Sequence, residues 1–278
     1  MTQTLTSNHF AADVVTLQVS EVSRLPRPLT GTLFYRSRLN PIRFHLSRFG
    51  LLQLICAVLF CVTGGNGFAA DNELTSDEKA AGWILLFDGK TTDGWLDSKE
   101  KSVPATHVQD GTLNPHPCNY MLIHKEVYDN CRLSLDFKIS PKCNSGIFIR
   151  TFPLTPRPGK DVGFNGIEVA IDDTTTDGLH DTGAIYDLVS PSKNAMKPAG
   201  EWNHMLITCD RNLISVEVNG EEVSGMDLDQ WPTVNKRPDG TDHKFDVAYR
   251  DHARKGYFGL QDHGSDVWYR NIKLLRLN

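Results

Sequence analysis

Cys131-Arg132-Leu133-Ser134-Leu135-Asp136-Phe137-Lys138-Ile139 alternates apolar and polar residues without a break. Cys131, Leu133, Leu135, Phe137 and Ile139 fall on one side; Arg132, Ser134, Asp136 and Lys138 fall on the other. Successive side chains of an extended chain point to opposite faces, so this is the pattern of a half-buried antiparallel strand. The same period recurs downstream. In residues 166–172, Ile167, Val169 and Ile171 share a face opposite Glu168, Ala170 and Asp172. Residues 213–222 place Ile214, Val216 and Val218 inside and run through Asn219-Gly220, a strong hairpin signal. Asp88-Gly89, Asp93-Gly94 and Asp110-Gly111 add turns, and residues 257–263 and 267–277 read as two more strands joined through Gly264. Apart from a short helical turn over residues 76–81, nothing in the body has helical spacing over any length. Without repeats, linkers or low-complexity segments, the pattern predicts one all-β domain, a jelly-roll sandwich of two antiparallel sheets.

The chain has 278 residues, 40% hydrophobic and 23% charged, which excludes collagen-like, coiled-coil and wholly disordered chains. Its charge is unevenly spread. Residues 1–70 carry six Arg, no Lys and two acids, leaving 23 basic and 32 acidic residues for the remainder. An acidic body argues against nucleic acid as a partner, because such binding needs clustered cations. Arg36, Arg38, Arg43 and Arg48 precede an apolar run from Leu51 to Val62, followed by Gly64, Gly65, Gly67, Ala69, Ala70 and then Asp71. That order predicts a secretory signal cut after Ala69 or Ala70, hence an exported, periplasmic or extracellular protein. The apolar run is shorter than the roughly 20 residues that span a bilayer, so no membrane span is expected in the mature domain. The expected organisation is an extension and leader over residues 1–70 and one domain over residues 71–278.

Export would remove Cys56 and Cys61 and leave Cys118, Cys131, Cys143 and Cys209. No C-x-x-C pair is present in the body, which argues against a zinc knuckle. A disulfide among Cys118, Cys131 and Cys143 and a set of free buried thiols are both compatible with this spacing.

The chain lacks a G-x-S-x-G elbow, a P-loop, an H-E-x-x-H helix and a dinucleotide fingerprint, which leaves acid–base chemistry or plain ligand binding. Glu168 and Asp172 share one strand face, where two carboxylates can act as acid and base. Gln261 and His263 share a face in Gly259-Leu260-Gln261-Asp262-His263-Gly264, and the adjacent Asp262 is expected to orient the imidazole. Asn144, Gly146, Phe148 and Arg150 alternate along residues 144–150, and an amide, a ring and a guanidinium in line suit a polyhydroxylated ligand. Tyr186, with His180 just before it, and Trp95, Trp202, Trp231 and Trp268 are candidates for stacking on a sugar ring, though most tryptophans in such a domain pack the core.

Together with Gly82-Trp83-Ile84-Leu85-Leu86-Phe87-Asp88-Gly89-Lys90, Gly94-Trp95, residues 182–188, Lys197-Pro198-Ala199-Gly200-Glu201-Trp202-Asn203, Asn219-Gly220 and Val267-Trp268-Tyr269-Arg270-Asn271-Ile272, these segments resemble the 3-keto-disaccharide hydrolase domain family, in the family's order. One position departs: Ala170 stands beside Glu168 where relatives often carry a longer side chain such as Gln. The resemblance implies a concanavalin A-like jelly roll, usually exported, that acts on glycosides whose C3 hydroxyl has become a ketone. Such a ketone acidifies the C2 hydrogen, so a base can remove it, the C1 aglycone can leave by β-elimination, and water can then add. This route needs a base, a group to hold the enolate oxygen and a proton donor for the leaving oxygen. On that chemistry His263, oriented by Asp262, is base or acid, Glu168 is its complement, and Arg150 and Gln261 hold the sugar or enolate. Asn144, Tyr186, Asp172 and Trp268 complete the expected substrate contacts. No cofactor is required, although Asp172, Glu168 and His263 could ligate a divalent metal. The expected partner is a carbohydrate substrate, and the rival reading is a non-catalytic, lectin-like carbohydrate-binding module.

Overall fold

The computed structural model describes residues 70–278 apart from residues 119, 175 and 177; the expected leader lies outside the described residues. In chain order the elements are α1 (Ser76–Ala81), β1 (Ile84–Leu85), β2 (Trp95–Asp97), β3 (Val108–Gln109), β4 (Thr112–Leu113), β5 (Met121–Tyr128), β6 (Cys131–Ile139), β7 (Asn144–Thr151), β8 (Ile167–Asp172), β9 (Asn203–Asp210), β10 (Leu213–Val218), β11 (Glu221–Asp227), β12 (Gly256–Gln261) and β13 (Val267–Arg276). They form a jelly-roll sandwich of two antiparallel sheets. The larger runs β11-β10-β9-β6-β13-β4-β3, with β1 also on β13; the smaller runs β2-β5-β12-β7-β8.

The helical turn forms as its sequence dictates. Thr75 accepts from the Glu78 N–H, the Glu78 carboxylate accepts from the Thr75 N–H, and Gly82 at φ 87° ends the turn. Central strand β6 alternates buried and less buried residues along its length, and Leu135, Phe137 and Ile139 are fully buried. Each such side chain contributes on the order of 1.5–3 kcal/mol of transfer free energy. Their partners across the layer include Ile147, Val169, Ile171 and Leu260 from the smaller sheet, so one continuous core joins the two sheets.

Turn chemistry sets the registers. Asp110 and Gly111 at φ 48° and 74°, and Asn219 and Gly220 at φ 54° and 81°, have the two positive φ values of the tightest hairpins. They join β3 to β4 and β10 to β11. Gly264, at φ 89°, lies in the connection between β12 and β13, which belong to different sheets. Edge strand β8 is covered by the segment that follows it: Ala170 N–H donates to the Ala184 carbonyl, and Gly183 N–H donates to that of Ala170. Ala170 itself is buried. Cys118, Cys131, Cys143 and Cys209 are all buried free thiols. No helix among the described residues is long and apolar enough to cross a membrane.

Candidate active site

The smaller sheet carries a second apolar cluster outside the main core, in which Met121, Ile123, Phe148, Leu154 and Val162 pack with Tyr120 and Tyr257. Beside it opens a cavity of about 170 Å³. Its lining combines rings (Tyr120, Phe148, Phe164, Tyr186, Phe245) with polar groups (Asn144, Asp161, Glu168, Lys244, Gln261, His263) and bare backbone at Gly163 and Gly166. Aromatic walls with a few convergent polar groups suit a sugar-sized ligand.

Glu168 is the electrostatic centre. It stands on β8 opposite Phe148 of β7, and its carboxyl lies over Gly146, where an added Cβ would sit 2.5 Å from Oε1. A side chain at residue 146 would displace that carboxyl, which gives the glycine its reason. Burial pushes the Glu168 carboxyl up to about 8; Asp172 adds to the rise, while the positive charge of Lys244 and a hydrogen bond with Gln261 restrain it. Glu168 thus keeps its proton at neutral pH. Gln261 is itself buried, and its Oε1 has no hydrogen-bond partner among the described residues. A buried acceptor bordering a cavity is suited to a ligand hydroxyl.

Two irregular segments bring the remaining polar groups. Asp187, at φ 56°, accepts from Arg237 Nη2 through both its carbonyl (2.7 Å) and Oδ1 (3.1 Å). Its Oδ2 accepts the Lys244 N–H at 2.8 Å. One carboxylate therefore clamps the segment following β8 to the segment that carries Lys244 and Phe245. Lys244 Nζ lies 3.8 Å from the Tyr186 ring centroid, and that ring lies 4.5 Å from His180. Tyr120 is held at φ 133°, a region side-chain-bearing residues rarely adopt, and its carbonyl accepts the Asp262 N–H at 2.7 Å.

A model of the 3-keto-alpha-glucoside-1,2-lyase-like domain matches residues 82–275. The chain belongs to this family. Among individual proteins it is similar to a 3-keto-disaccharide hydrolase of Bacteroides thetaiotaomicron, 27% identical over 70% of this chain and 78% of that one. Two solved structures of candidate glycosyl hydrolases from Parabacteroides distasonis share its fold. One has a TM-score of 0.58 at 30% identity, covering 70% of this chain and 99% of its own. The other has a TM-score of 0.62 at 25% identity, covering 75% of this chain and all of its own.

Of the residues expected from sequence, this lyase-like domain brings Glu168, Gln261, His263, Asn144 and Tyr186 together around the cavity. The others go elsewhere. Asp262, just past the end of β12, is engaged on another side: it accepts from His116 Nδ1 at 2.9 Å and from the N–H groups of Cys118 and Gly264. Burial opposes ionisation of this carboxyl, but those hydrogen bonds outweigh it and hold its pKa below the ordinary value.

Arg150 is also displaced. Between the pairings of Thr151 with Tyr257 and of Phe148 with Gly259, β7 has one residue more than β12. The bulge puts Arg150 at φ 51°, and Gly256 makes room for it, since a Cβ there would lie 2.3 Å from the Arg150 carbonyl carbon. The alternation is broken, and Arg150 is buried beside Cys131, Cys209 and Leu274, outside the cavity lining. Trp268 lies on β13 of the other sheet, where its Nε1 donates to Gln109 Oε1 and its ring meets Lys138. Trp95 and Trp231 are core, and Trp202 packs under Arg270 and Lys138. Asp172 lies outside the cavity lining, where its carboxylate accepts from the Thr174 N–H and from Asn144 Nδ2, so it positions Asn144. Nor do Asp172, Glu168 and His263 form a metal site: among the described residues no group of three or more His, Cys, Asp or Glu is placed to hold an ion.

Sequence reading missed Lys244, Tyr120, Phe164, Phe245 and Asp161 as site residues. All five lie outside the regular strands, where periodicity carries no information. The clustering of Lys244 with aromatic Phe245 is the one local hint.

Proposed function

We propose that the chain cleaves glycosides of 3-keto sugars by removal of the C2 proton, β-elimination of the C1 aglycone and addition of water. The single observation carrying this reading is the Glu168 carboxyl, which burial pushes up to about 8 inside a sugar-sized, ring-lined cavity. Pure binding has no need of an acid that keeps its proton at neutral pH; protonating a leaving oxygen does. The names of the Bacteroides and Parabacteroides relatives support the same class of chemistry.

In this reading Glu168 donates its proton to the departing glycosidic oxygen. His263, at the exposed side of the cavity, takes the C2 proton. The Lys244 ammonium stabilises the enolate oxygen as charge develops there, and Gln261 and Asn144 hold sugar hydroxyls. Tyr120, Phe148 and Tyr186 pack against the apolar faces of the ring. For hydration the ionised Glu168 activates water, the reverse of its first role.

The test offers 3-keto-glucosides and their unoxidised parents side by side to the chain, to E168Q and to H263A. Aglycone release from the keto substrates alone, reduced at least 100-fold in both variants, is the expected result. Saturable binding of both sugars without release would make the cavity a carbohydrate-binding site instead. Release from the unoxidised parents would make it a two-carboxylate glycosidase.

A further inference from the structure

Away from the cavity, the layer between the sheets holds a cation with no hydrogen-bond partner among the described residues. Arg150 is 3% exposed, and its Nε, Nη1 and Nη2 make no hydrogen bond to any described residue. It lines a narrow crevice with Cys131, Cys209 and Tyr128, flanked by exposed Asp129 and half-buried Tyr257. A guanidinium keeps its proton in proteins, so burying it unpaired is costly unless an adjacent group takes negative charge.

The ionisable groups lining that crevice include two thiols. Cys131 and Cys209 stand directly opposite each other on β6 and β9, and their side chains are hydrogen-bonded to one another. The two other buried thiols lack such a cation: burial pushes both Cys118 and Cys143 up to about 12. Cys209 moves the other way, because the hydrogen bond from Cys131, and then the Arg150 charge, outweigh its burial. Cys131 is pushed up correspondingly and is the partner that keeps its proton.

We propose that Cys131 and Cys209 are an oxidisable dithiol, activated by Arg150, that closes to a cross-strand disulfide by exchange with a small external disulfide. Directly opposed residues of an antiparallel pair have Cα atoms about 4.5 or 5.5 Å apart. Disulfides span roughly 4.4–6.8 Å between Cα atoms, so the opposed pair lies within the reach of the bond. The Cys209 thiolate attacks one sulfur of the external disulfide, whose other half leaves as a thiolate and takes up a proton. Cys131 then gives up its proton and attacks the Cys209 sulfur of the mixed disulfide, expelling the second thiol. Two electrons pass from the cysteine pair to the external disulfide, which ends as two thiols.

The test treats the native full chain with oxidised glutathione, quenches free thiols with N-ethylmaleimide after denaturation, and maps the peptides by mass spectrometry. The expected product is a link between the peptides of Cys131 and Cys209, two hydrogens lighter than the sum of its parts, with Cys118 and Cys143 recovered alkylated. Arg150→Met is expected to slow linking at least tenfold, while Arg150→Lys, which retains the charge, links within threefold of the wild-type rate. Recovery of Cys131 and Cys209 alkylated separately, or a link of either to Cys118 or Cys143, would overturn the proposal. So would equal rates in the Met variant and the wild type, or a Lys variant as slow as the Met one.

Discussion

Replacing Glu168 by Gln removes one titration and keeps the shape of the protonated acid. The carboxyl ionises near 4.5 when unfolded, and burial raises it to about 8 when folded. Between those values the folded state holds a proton that the unfolded state has lost, so the stability of the wild type falls as pH rises. At 1.36 kcal/mol per unit the full difference is about 5 kcal/mol, and water reaching the half-buried carboxylate through the cavity mouth reduces it to about 2–4 kcal/mol. For a domain of this size that is about 5–15 °C in Tm. Thermal melts of both proteins from pH 5 to pH 9 check it, because every other titrating group is common to the pair. The two should melt within about 2 °C of each other at pH 5, and the variant should melt higher by pH 9, the gap opening across pH 5–8. A gap that stays constant over the whole range would refute the assignment of a raised Glu168 pKa, and with it the proton-donor role.

Lys244→Met removes the charge that restrains Glu168. The alkaline limb of kcat/KM on a 3-keto-glucoside should therefore move to higher pH, with a loss of about 10- to 100-fold on the plateau; a pH–rate profile reads both. Gly146→Ala places a methyl 2.5 Å from Glu168 Oε1, which a flexible carboxylate escapes by swinging away. It should cost about 1 kcal/mol of stability in urea unfolding but about 100-fold in kcat/KM. Trp268→Phe, on the opposite sheet, should leave kcat/KM within about twofold, since its ring contacts Lys138 rather than the cavity.

The architecture was legible because period two is a property of the extended chain itself: the faces read for residues 131–139 and 213–218 match the burial of β6 and β10. Alternation says which residues share a face of a strand, not which sheet the strand joins, so Trp268 could not be separated from Gln261 on sequence alone. It also assumes unbroken register. The bulge at Arg150 turned one expected ligand into a buried cation, and Gly256 across from it is where the backbone makes room. Glu168, Gln261, Asn144 and His263 were found because β8, β7 and β12 are neighbours in the smaller sheet. Lys244 was missed because irregular segments obey contacts made far along the chain, here with Asp187.

The Asp187 clamp divides the cavity into two kinds of part. Glu168 and the amides stand on paired strands, whereas Lys244 and two of the rings, Tyr186 and Phe245, ride on two loops fastened to each other. Loop exchange leaves a sheet's register untouched, so the sugar preference of such a cavity is open to change by swapping both loops together. Swapping either one alone would strand a buried or charged partner of Asp187. The two segments therefore form a unit of inheritance for an evolving lineage, and one cassette for an engineer retargeting the fold.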